Sequence, residues 1–91
     1  MSVKINISYP HLQQFTANQD VVEVNGSTVG ECLNHLVSQF PGIEKGLFNE
    51  HGQLLNYVYF FINGEAAYPT DLAMPMKDGD ELLIALMLAG G

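Results

Sequence analysis

The sequence contains no arginine, only three lysines and a single cysteine in 91 residues. Each scarcity excludes something. Nucleic-acid binding needs clustered cations to neutralise phosphates, and this chain has none to offer. Ten Asp and Glu leave a formal charge of −7 at pH 7, which also argues against an anionic membrane surface. Cys32 is alone, so no intrachain disulfide is possible and a disulfide-stapled secreted fold is excluded. Long apolar runs are missing as well. The longest, Leu82 to Ala89, is less than half a membrane span. The opening residues Met1-Ser2-Val3-Lys4-Ile5-Asn6 lack the apolar stretch of a signal peptide. No internal repeat, low-complexity tract or linker interrupts the chain. These absences predict a cytoplasmic protein with no membrane and no nucleic-acid partner.

What is present suits one small domain. A hydrophobic content of 47% supports a single modest core. Residues 3–9 alternate apolar and polar, the period of a half-buried strand, with Val3, Ile5 and Ile7 facing in. Residues 10–20 open with Pro10, run polar to Asp20 and read as a loop. Residues 21–25 form a second strand ending in the Asn25-Gly26 turn signal. Thr28 and Glu31 then have capping-box spacing. Val29, Leu33, Leu36, Val37 and Phe40 follow at helical intervals, and Pro41-Gly42 stops the run, so a helix is predicted over 28–40. Ile43, Leu47 and Phe48 suit one helical turn under the core, with a bend at His51-Gly52. Residues 57–62, dense in aromatic and β-branched side chains, predict a strand, and Asn63-Gly64 a tight turn after it. Residues 68–76 read as irregular. Lys77 to Asp80 is a turn, and Glu81 to about Leu86 a final strand. Two strand pairs separated by one helix predict an α+β layer, a mixed sheet on a single helix.

Three stretches carry a resemblance. Val24-Asn25-Gly26-Ser27-Thr28-Val29-Gly30-Glu31 opens the helix, and Phe60-Phe61-Ile62-Asn63-Gly64-Glu65 ends the aromatic strand. The third runs from Met76-Lys77-Asp78-Gly79-Asp80-Glu81-Leu82 to Ala89-Gly90-Gly91. Together they resemble the ubiquitin-like β-grasp sulfur carriers of the MoaD/ThiS type, over nearly the whole chain. The long middle segment 43–56 looks closer to the molybdopterin-synthase small subunit, and to carriers of protein-bound cysteine synthesis, than to the shorter thiamin carrier. The resemblance implies a β-grasp domain over 1–85 and a flexible tail over 86–91. It also implies a non-catalytic carrier with no bound cofactor. A ThiF/MoeB-type adenylyltransferase, using ATP, would activate the Gly91 carboxylate, and sulfur would replace one oxygen to give a thiocarboxylate for a downstream enzyme. Leu86, Met87, Leu88, Ala89 and Gly90 would form the partner-binding tail, and a processing metallopeptidase would trim any longer precursor to Gly91. Glycine suits the end because, lacking Cβ, it enters a narrow channel. Family tails often carry proline where this chain has Leu86 and Met87, which invites a longer strand or an apolar groove on the partner. Two alternatives stay open: a protein modifier joined through Gly91 to lysines, and a plain interaction module.

Other features are weighed from the residues alone. Tyr57, Tyr59 and Phe61 should face away from the helix while Val58, Phe60 and Ile62 face it. That outer face is either a docking surface or is covered by residues 43–56. Asp80 and Glu81 beside the tail strand are read as an acidic docking patch, and Asp78 as a solvated turn residue. Cys32 and His35 have a spacing that two metal ligands can use, but His11 and His51 are isolated and no second pair follows, so no metal is expected. The alternative reading is a small buried cysteine beside a solvent-facing histidine.

Overall fold

The computed structural model describes residues 2–7, 9–67 and 72–86, with the backbone alone at His11. Among the described residues, five strands form one mixed sheet. They are β1 (Ser2–Ile7), β2 (Val21–Asn25), β3 (Val58–Ile62), β4 (Glu65–Ala66) and β5 (Glu81–Leu86), in the order β2-β1-β5-β3-β4. The first and last strands lie side by side at the centre. β1 runs parallel to β5, with Ile5 opposite Leu82 and Ile7 opposite Ile84. β2 pairs antiparallel with β1, and β3 antiparallel with β5. The main helix α2 (Val29–Gln39) closes one face of the sheet. This is the β-grasp arrangement expected from the resemblance.

Alternation decides which face is covered. Val3, Ile5, Ile7, Val22, Val24, Phe60, Leu82 and Ile84 turn inward and are fully or nearly fully buried. They meet Val29, Cys32, Leu33 and Leu36 of α2. The helix begins where its capping chemistry places it. The Thr28 side chain accepts from the Glu31 N–H at 3.1 Å. The Glu31 carboxylate reaches back one residue further than the standard box, accepting from both the N–H and the hydroxyl of Ser27 at 2.8 Å.

Residues 10–20 are not a plain loop. Pro10–Gln13 form a helical turn, α1, continued as a 3₁₀ turn over Gln14–Thr16. Leu12 and Thr16 are completely buried and Phe15 packs on the core. The turn lies against the next helical segment, a 3₁₀ turn over Pro41–Ile43 followed by α3 (Glu44–Leu47). A Cβ on Gly46 would come within 2.6 Å of the Leu12 Cδ2 methyl, so a larger residue there would make the Leu12 side chain shift. Ile43 and Leu47 are buried, as the middle segment predicted. The hairpin turn uses left-handed backbone at both Asn63 (φ 52°) and Gly64 (φ 85°), which fits the twist of a two-residue β-turn.

Candidate functional site

The candidate site is the root of the tail, at the end of β5. This strand carries the chain through the middle of the sheet to Leu86, opposite Val58. Leu86 is therefore a strand residue, half-buried against the core, and not the first residue of a tail. Its side chain falls in step with Leu82 and Ile84, which explains why the strand retains it. Met87, Leu88, Ala89, Gly90 and Gly91 lie outside the described residues.

The start of β5 is fixed by interlocked turns. Asp80 accepts from the Asn63 side-chain amide at 3.0 Å and from the Lys77 N–H at 2.7 Å. Asn63 in turn accepts from the Glu81 N–H at 2.9 Å, and its own N–H donates to the Glu81 carbonyl. The Asn63 bond, and then the Lys77 bond, hold the Asp80 carboxyl below its ordinary range. One Asp80 oxygen thus ties the β3–β4 turn to the start of β5 and the other closes the turn from Lys77, which gives this carboxylate a structural use that sequence did not foresee. Asp78 also has a bond, accepting from the Ser2 N–H at 2.7 Å. Glu81 is exposed and stands opposite Lys4 in the β1–β5 register.

The three aromatic residues expected on the outer face, Tyr57, Tyr59 and Phe61, are divided between two surfaces. Tyr59 and Phe61 lie half-buried on the outer face, away from α2. Tyr59 is opposite Ala85, and Phe61 lies between Leu83 and Ala66. Leu83 and Ala85 extend this apolar patch along β5; their place was legible in the strand's alternation but was not singled out. Tyr57 precedes β3 and does not join them. It packs towards the core and lines a shallow groove with Glu44, Lys45, Phe48, Glu50 and Leu55. Residues 43–56 are not a cover for the outer face. Ile43 and Leu47 enter the core, and Phe48, Leu54 and Leu55 pack against it.

Cys32 and His35 do not converge. Cys32 is completely buried, and burial first, then the neighbouring Glu31 charge, pushes its thiol up and away from the reactive thiolate. His35 is half-buried, and its Nδ1 accepts from the Asn25 N–H at 2.7 Å. Among the described residues, no group of three or more His, Cys, Asp or Glu could hold a metal ion. No described helix is long and apolar enough to cross a membrane.

Comparison with known proteins sets this geometry in context. The ThiS family model matches residues 7–91. Small archaeal modifier protein 1 of Haloferax volcanii is 37% identical over 71 residues, covering 77% of this chain and 78% of the modifier. Sulfur carrier protein CysO of Mycobacterium tuberculosis is 29% identical over 93 residues, covering 98% of this chain and 100% of CysO. A chain in the crystal structure of the Amycolatopsis orientalis BexX/CysO complex superposes with a TM-score of 0.84 at 31% identity, covering 98% of this chain and 99% of that one.

Proposed function

The chain belongs to the ThiS family, and from that premise we propose that it is a sulfur carrier acting through the α-carboxylate of Gly91. The observation behind this reading is the family match, which runs through Gly90-Gly91 beyond a central strand. The carboxylate attacks the α-phosphorus of ATP on an activating enzyme of the ThiF/MoeB type, giving an acyl adenylate and releasing pyrophosphate. A sulfur nucleophile then displaces AMP, and the thiocarboxylate passes its sulfur to a biosynthetic enzyme. The carrier brings no cofactor and no general base of its own. Its domain supplies recognition, with Tyr59, Phe61, Leu83 and Ala85 as the apolar docking face and Glu81 as a charge at its margin.

The decisive experiment is the intact mass of the protein after incubation with an activating enzyme, ATP and a sulfide source. A gain equal to exchanging one oxygen for sulfur, confined to the C-terminal peptide, is expected. Deleting Gly91, or adding one residue after it, is expected to abolish the gain while leaving the circular dichroism spectrum unchanged. Retention of the gain in either variant would sink the reading.

A second reading has a specific observation in its favour, since a 37% identical relative is named as a modifier. In it the same activated carboxylate is joined to a lysine amine of a target. Gly91-dependent, lysine-linked adducts would distinguish it from a carrier that only gains sulfur.

A further inference from the structure

We infer that the groove beside Tyr57 receives the rim of the enzyme that adenylates the tail, and that this rim carries Lys or Arg. The inference rests on the carrier reading above and adds where the activating enzyme holds the domain.

Three observations lead to it. The first is reach. Five residues lead from Leu86 to Gly91. Even fully extended, they span about 17 Å. An enzyme that seats the Gly91 carboxylate in an enclosed site must therefore bring its channel mouth close to Leu86. The second is position. Leu86 pairs with Val58, and the adjacent Tyr57 lines the groove, so the groove opens one residue from the tail root. A partner that encloses the tail meets this surface. The third is chemistry. Phe48, Leu55 and Tyr57 give an apolar floor of half-buried side chains. The rim carries two exposed carboxylates, Glu44 and Glu50, the second 3.6 Å from His51 Nε2, and one lysine, Lys45, so carboxylates outnumber lysines there. An enzyme that binds ATP must present cations to the triphosphate, and the field around its channel favours an acidic approach. Apolar floor and acidic rim thus match an apolar, cation-bearing lip.

The test is ATP–pyrophosphate exchange by the adenylyltransferase of the same organism, with carrier concentration varied. Glu44→Lys and Glu50→Lys are exposed reversals that leave the core untouched. Together they are expected to raise the apparent KM for the carrier at least tenfold with kcat nearly unchanged. Glu23→Lys, on the opposite edge strand, makes a charge change of the same size per residue and is expected to stay within about twofold of wild type. If the groove variants shift KM no more than Glu23→Lys does, the groove inference is overturned and the carrier reading stands. If the wild-type chain supports no exchange at all, both are overturned. Thermal melts of each variant separate lost docking from lost fold.

Discussion

Gly26 shows how closely single residues are fitted. It joins β2 to α2, and a Cβ there would sit 2.8 Å from the Cys32 backbone nitrogen and 2.9 Å from its sulfur. Neither atom can yield, because both belong to the first turns of a packed helix. Gly26→Ala is expected to cost about 1–3 kcal/mol, measurable by urea denaturation. Thr28→Ala removes the acceptor that caps α2 and is expected to cost about 1 kcal/mol. Asp80 is the clearest source of acid sensitivity. Its carboxyl lies below the ordinary value of 3.8 in the folded chain, so folding favours the ionised form. The stability this adds is complete above the unfolded value and disappears as pH falls through the folded one. Glu31 behaves alike, because Ser27 holds its carboxyl down. Asp80→Asn is expected to flatten the acid limb of a melting-temperature profile without abolishing it, since Glu31 remains. An unchanged acid limb would show that the turn does not depend on the charge.

Among the elements, α2 does two things. Its inner face fills the core, and its flank protects an edge. β2 is the outer strand on its side of the sheet, and its outward backbone groups would invite pairing with another chain. His35 accepts from the Asn25 N–H, and the Gln39 amide donates to the Glu23 carbonyl at 3.2 Å. The double variant His35→Ala/Gln39→Ala frees both groups and is expected to increase self-association, read by sedimentation velocity at rising concentration. Elements with a strong period were legible in the sequence: the four longer strands, β1, β2, β3 and β5, and α2 with its cap. The turn over 10–16 was missed because only Leu12, Phe15 and Thr16 carry its inward side, too few to establish a period. Pro10 at its first position was the available signal. Tyr57 was misplaced for a related reason. Alternation holds only within a strand, and β3 begins at Val58. Asp80 was read as a docking charge because its partner Asn63 is 17 residues away, a distance no local pattern spans.

At the scale of the whole molecule, the fold sets the point from which the residues leading to Gly91 depart. β5 is held on both sides, by β1 and by β3, so Leu86 is a fixed point. On the proposed carrier reading, the Gly90-Gly91 motif and the distance to it are then separable requirements. Inserting one glycine between Leu88 and Ala89 keeps the last three residues intact and lengthens the reach by about 3.4 Å. If the domain docks beside the tail root, the inserted residue must bulge or push the carboxylate out of line with ATP. Misplacement by about 1 Å can reduce a reaction about 10²-fold, so adenylation is expected to fall by at least tenfold in kcat. The motif alone predicts no loss. Single-turnover formation of the acyl adenylate measures the difference without interference from product release. A wild-type rate in the insertion variant would mean that the tail acts as a free tether and that the enzyme recognises its last residues alone. A large fall with a normal melting temperature would mean that the domain meters the tail. In that case strand register, rather than tail sequence, determines whether Gly91 reaches the chemistry.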